Sequence, residues 1–166
     1  SITLPNGLVV GSLIVVNAFG EVVDPQNGEI LAGVRSPSDH SETLTSSPTF
    51  TPTLSLMEMF ISHTPNSFNQ PQNTVIGVVA TNAALSKEQA NLIAQMAQDG
   101  IARTIHPAHT LMDGDTLFSI STGNIIADVN LVGALAVEAV TLAITRSVRF
   151  AETAGGLPGL KTIKKA

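Results

Sequence analysis

The chain has 166 residues, 43% of them hydrophobic and 13% charged, a balance that supports one compact domain with a buried core and argues against intrinsic disorder. Eight Lys plus Arg residues against 13 Asp plus Glu leave a net charge of −5; apart from a local cluster of Lys161, Lys164 and Lys165 there is no basic face, so nucleic acid is not an expected partner. The absence of cysteine excludes disulfides, thiolate metal sites and a cysteine nucleophile, and favours the cytoplasm as compartment.

The opening residues, Ser1-Ile2-Thr3-Leu4-Pro5, lack the basic and apolar regions of a signal peptide and read as an internal beginning. Residues 8–19 are β-branched and almost continuously apolar, which predicts a central strand covered on both faces. Asp24-Pro25-Gln26-Asn27-Gly28 is a turn by its chemistry, because proline presets one dihedral and Asn-Gly tolerates positive φ; residues 29–34 then return as a short strand.

Residues 36–50 carry prolines and hydroxyl residues without apolar periodicity and predict a mobile loop. Leu54, Leu56, Met57, Met59, Phe60 and Ile61 predict a helix or docking segment, followed by a second polar stretch over 62–73. Residues 75–80 read as another buried strand. Ser86 then supplies an N-cap with Gln89 at the capping-box position, opening a helix to about Ala102. Leu92, Ile93, Met96, Ala97 and Ile101 give that helix one buried face, and Gly100 weakens its C-terminal end. A break at His106-Pro107, a strand over 116–121, a long Ala/Val/Leu-rich helix over about 128–149 and a loose tail after Gly155 complete the chain.

The long helix contains the longest apolar candidate, 131–144, but Glu138 and Thr141 interrupt it short of the roughly twenty residues of a membrane span, so a soluble protein without a membrane partner is expected. The element order predicts an α/β fold with helices layered on mixed sheet rather than a doubly wound parallel one. The glycines lack the spacing that would cradle a pyrophosphate, and no nucleotide or other cofactor is expected.

Four groups of residues could carry chemistry. Thr74 stands where the polar loop ends and the apolar strand Val75-Ile76-Gly77-Val78 begins. Were the bond before it cut, it would hold a hydroxyl nucleophile and its own α-amine base on the rim of a rigid strand. A free α-amine has an ordinary pKa of about 7.7–8.0, so part of it is neutral near pH 7 and accepts the hydroxyl proton. By residue type alone, a threonine opening a strand is also unremarkable.

Asp113-Gly114-Asp115 places two carboxylates around a glycine; such a pair orients an amine or shares a proton, or is simply a solvated turn. His106 and His109 have a metal-like spacing but lack a third ligand nearby other than the aspartates, so structural histidines are expected and no metal. Asn17, polar within an apolar run, is expected to be buried and hydrogen-bonded, as a structural link or an oxyanion donor.

Taken together, Asn73-Thr74 and the strand to Asn82, the helix over 86–102, His109-Thr110, Asp113-Gly114-Asp115-Thr116 and Ser121-Thr122-Gly123 resemble the DmpA-type aminopeptidase and nylon-oligomer hydrolase family of self-processing amidases. The Asn-Thr junction is similar to the nylon-oligomer (6-aminohexanoate oligomer) hydrolase branch, whereas the aminopeptidases that name the family use Gly-Ser. The resemblance implies autocatalytic cleavage between Asn73 and Thr74, with residues 1–73 closing the α portion and 74–166 forming the β portion. It implies Thr74 as nucleophile, Asp113 and Asp115 as orienting carboxylates, and Asn17 as the positioning or oxyanion asparagine; a family lysine would lie upstream of Ser1. It also implies a layered α/β sandwich with mixed sheets and helical outer layers, similar to ornithine acetyltransferase. The implied partners are a small amide or peptide substrate, the remaining α-portion segment, and further copies in a homo-oligomer of processed αβ units. An N-terminal aminopeptidase and a non-catalytic relative of the same fold are the alternatives.

Overall fold

The computed structural model describes residues 1–36, 49–61 and 73–163. Most of the two expected loops, 37–48 and 62–72, together with Lys164 and Lys165, lies outside the described residues.

Strand β1 (Ile2–Thr3) turns back through Gly7, at φ +83°, into β2 (Val9–Asn17), with the Gly7 amide donating to Leu4 O. A separate hairpin joins β3 (Glu21–Val23) to β4 (Ile30–Ala32) through the expected turn. There Asp24 Oδ1 accepts from the Gln26 amide and Asp24 O from that of Gly28, whose φ of +73° is open to glycine. The partner of the returning strand is thus β3, in a different sheet from the long β2. Strand β5 (Val34–Arg35) pairs with β6 (Phe50–Thr51), which ties both ends of the expected loop together. The apolar group after it is a helix, α1 (Thr53–Ile61).

Strand β7 (Thr74–Ala83) opens the second half and is followed by α2 (Lys87–Ala102). Ser86 caps that helix in the expected box: its hydroxyl accepts from the Gln89 amide while the Gln89 side chain accepts from the Ser86 amide. The Ser86 hydroxyl also donates to Glu88 and holds that exposed carboxyl below its ordinary value. Ile93, Ala97 and Ile101 are buried as the periodicity predicts, but Leu92 is exposed, because it lies one residue off the stripe that meets the neighbouring helix. Gly100 does not end the helix. It is a contact point, where a Cβ would come 2.8 Å from Val137 O and Val140 Cβ.

Short β8 (Ile105–His106) adds to β3, and β9 (Thr116–Ile125) runs parallel to β7. Helix α3 (Val129–Arg149) starts at Asp128, whose Oδ1 accepts from the amides of Asn130 and Leu131. By length and composition α3 is apolar enough to cross a bilayer, contrary to the shorter estimate above; half of that window is buried, against α2 and β2. The tail is more ordered than its composition predicts. Two positive-φ glycines, Gly155 and Gly156, reverse it, and α4 (Leu160–Ile163) is tied back by Lys161 N donating to Ala151 O.

The main sheet has the order β1-β2-β7-β9, antiparallel except for the parallel β7–β9 pair, so the fold is mixed α/β. Val10, Val75, Val79 and Leu117 meet Ile93, Val140 and Ile144 in one core under α2 and α3. Ser12 faces the same way and donates to Ala139 O at 2.8 Å. The opposite sheet face is bare among the described residues: Leu13 is 71% exposed, Val15 62% and Phe118 57%. The expectation that β2 is covered on both faces is therefore not met within these residues, since both long helices pack on one side and alternation sends odd-numbered β2 residues to the other.

Candidate active site

The N-terminal end of β7 meets two other segments: the C-terminal end of β2 and the loop that enters β9. Thr74 and Asn17 are direct partners in the antiparallel register, which brings two residues far apart in sequence side by side at the sheet's edge. Asn17 is exposed there rather than buried as expected, because it ends the strand on the outward-facing parity. Just beyond it, Ala18 O accepts from Asn73 Nδ2 at 3.2 Å.

Asn73 and Asp113 form an isolated parallel bridge, with Asn73 N donating to Met112 O at 3.2 Å and Gly114 N donating to Asn73 O at 3.0 Å. The same carbonyl oxygen accepts from Thr74 Oγ1 at 2.5 Å. A carbonyl bond is about 1.23 Å long, so the hydroxyl oxygen lies within about 3.7 Å of the Asn73 carbonyl carbon. Gly114 packs against this hydroxyl: a Cβ in its place would lie 3.1 Å from Thr74 Oγ1.

The two carboxylates tie together the segments that meet at this junction. Asp113 Oδ1 accepts from the Phe19 amide at 3.0 Å and Oδ2 from Thr110 Oγ1 at 2.7 Å, which ties the loop to the end of β2. Asp115 Oδ1 accepts from the Val75 amide at 2.9 Å, the first peptide group after Thr74, and its Oδ2 faces His109 Nδ1 at 3.0 Å. The Asp115 side chain is 4% exposed and that of His109 is 40% exposed. With Asn73 and Thr74 joined, neither carboxylate bonds to the Thr74 hydroxyl: Asp115 holds the peptide group after Thr74, and Asp113 holds Phe19 N and Thr110 Oγ1.

Residue types alone do not point to Gly114 N–H, Thr110 or His109 as parts of this junction. Thr110 left one local signal, its Thr-x-x-Asp spacing to Asp113: its hydroxyl accepts from Met112 N and its carbonyl from Asp113 N in a tight turn. The two histidines diverge. His106 pairs with Glu21 in the β3–β8 ladder, while His109 turns to Asp115; among the described residues no three His, Cys, Asp or Glu side chains gather to hold a metal. An open cleft of about 720 Å³ adjoins the site along residues 16–20 and is lined further off by Leu31, Val148 and Leu160, without Thr74, Asp113 or Asp115 in its wall.

The sequence pattern of Peptidase family S58 matches residues 1–162, and the chain belongs to this family. Its curated relatives include an uncharacterized aminopeptidase of Mycobacterium bovis and one of Mycobacterium tuberculosis, each 37% identical over 95% of this chain and 48% of the relative. A 6-aminohexanoate-oligomer endohydrolase of a Kocuria species is 32% identical over 69% of this chain and 30% of its own length. The chain spans about half the length of the mycobacterial relatives it matches.

Proposed function

We propose that this chain is the self-cleaving and catalytic part of an amide hydrolase that breaks its own backbone between Asn73 and Thr74 and then uses Thr74 as an N-terminal nucleophile. The observation that carries this reading is the convergence of Thr74 Oγ1 and Gly114 N–H on the carbonyl oxygen of Asn73. A nucleophile and a backbone donor are thereby aimed at one peptide bond.

In the cleavage step Thr74 Oγ1 gives up its proton and bonds to the Asn73 carbonyl carbon. The carbonyl electron pair moves onto Asn73 O, where Gly114 N–H stabilises the developing charge. Collapse breaks the C–N bond, the proton ends on the Thr74 nitrogen, and an ester links the two parts. Water hydrolyses it, leaving an Asn73 carboxylate and a free hydroxyl and amine on Thr74. In turnover that amine accepts the hydroxyl proton as Oγ1 attacks a substrate carbonyl, passes it to the leaving amine, and water releases the acyl group. Asp115 fixes Thr74 through the Val75 amide, Asp113 fixes the loop that carries Gly114, and Asn17 borders the position where a substrate carbonyl would enter.

On this reading residues 1–73 end the α portion and 74–166 are the β portion. The bare apolar sheet face of Leu13, Val15 and Phe118 supports a layered sandwich, in which a further sheet from the rest of a longer protein covers it, and processed αβ units assemble into a homo-oligomer. The substrates are short linear amides. Peptides with a free N-terminus are favoured by the aminopeptidase relatives, which match over the larger share of the chain; 6-aminohexanoate oligomers are the second reading, favoured by the endohydrolase relative. A mass spectrum of the denatured protein tests the reading: two pieces meeting at Asn73/Thr74 support it, and one intact species without amide hydrolysis removes it.

A further inference from the structure

We infer that His109 is a positioning residue for self-cleavage, acting through Asp115 to hold the peptide group that follows Thr74. The inference rests on the proposed cleavage at Asn73/Thr74.

His109 is the one non-glycine residue with positive φ, +56°, among the described residues. Histidine enters this left-handed region less readily than glycine, and only where its surroundings impose it. From that backbone the side chain reaches Asp115: Nδ1 lies 3.0 Å from Asp115 Oδ2. The other oxygen of the same carboxylate accepts from Val75 N at 2.9 Å. With one oxygen claimed by each donor, the carboxylate plane has a single orientation, and a nearly buried carboxylate depends on such bonds to stay in place.

The chain of contacts thus runs from the loop surface through His109 and Asp115 to Val75 N, one residue after the attacking hydroxyl. Thr110, the next residue, ties the same loop to Asp113, so adjacent side chains fix the two carboxylates on either side of Gly114. Without the Nδ1–H donor, Asp115 gains freedom to rotate and the Val75 amide loses a fixed acceptor. Thr74 Oγ1 is then less well aligned on the Asn73 carbonyl, although every group that touches the scissile bond is still present.

The test compares His109→Gly and His109→Asn in the full-length protein, because both residues accept a positive φ and only asparagine keeps an N–H near the Nδ1 position. Cleavage at Asn73/Thr74 is followed by denaturing mass spectrometry, alongside the melting temperature and hydrogen exchange at the Val75 amide. The expected result is cleavage slowed about tenfold or more in His109→Gly, recovered in part by added imidazole, with His109→Asn within a few-fold of the parent. Val75 exchange should accelerate in the glycine variant and not in the asparagine one. Equal cleavage and equal Val75 exchange in His109→Gly and the parent would overturn the positioning role. A parent that never cleaves removes the self-cleavage reading instead; in that case Val75 exchange, read on the intact chain, still decides whether His109 holds Asp115.

Discussion

Gly114 donates its amide to the carbonyl oxygen of Asn73 at 3.0 Å, and the same glycine leaves room for the Thr74 hydroxyl, which a Cβ would approach to 3.1 Å. Backbone and absent side chain thus both serve one peptide bond. Gly114→Ala keeps the N–H but presses on Oγ1, so processing should slow by roughly tenfold, since small misplacements of an attacking atom cost large factors in rate. Time courses of fragment appearance check this, and a rate equal to the parent's would show that Oγ1 does not attack from its present position.

Thr74→Ala should give an uncleaved and inactive chain that still folds. The substitution removes one methyl and one hydroxyl at a half-buried strand end, where packing loss is small, while deleting the attacking oxygen. Thr74→Ser should retain part of the processing. Cleavage of the alanine variant at the same bond, read by mass spectrometry, would end the assignment of Thr74.

Asp113→Asn and Asp115→Asn should each slow processing and turnover together by about 10²-fold, because an amide nitrogen in place of one carboxylate oxygen loses the Thr110 or His109 contact and a small misplacement of the attacking atom costs that much in rate. Both retain an oxygen able to accept from Phe19 N or Val75 N, so the melting temperature should move far less. If the double variant hydrolyses amides at the parent rate, the segment serves only as a turn.

Gly100→Ala places a methyl 2.8 Å from Val137 O and Val140 Cβ, where α2 and α3 touch. Despite alanine's better helix propensity, overpacking should destabilise the chain by about 1–3 kcal/mol. Chemical denaturation measures it, and an unchanged or higher midpoint would mean that the helices separate without strain.

Local chemistry was enough to read much of the scaffold. Ser86 and Gln89 announce their capping box, Asp24 to Gly28 their turn, and the apolar runs of β2, β7 and α3 their elements, because each depends on residues only a few positions apart. Other features depend on partners distant in the chain and could not be read this way. Leu13 and Val15 are as apolar as Ile14 and Val16, and only the packing of both long helices on one sheet face decides which pair is exposed. Gly100 resembles a helix breaker until α3 is laid against it.

The candidate site divides in the same way. Thr74, the Asp-Gly-Asp segment and Asn17 were legible as residue types with chemical capacity, and the family resemblance joined them. Tertiary structure alone decided that Asn17 faces Thr74 across an antiparallel ladder and that Gly114 N–H meets the Asn73 carbonyl. It also decided that each carboxylate reaches the junction through a neighbouring amide, Asp113 through Phe19 and Asp115 through Val75. The physical reason is that hydrogen bonds act over about 3 Å between atoms whose separation in sequence is unconstrained, so they are settled by strand register and loop closure rather than by spacing along the chain.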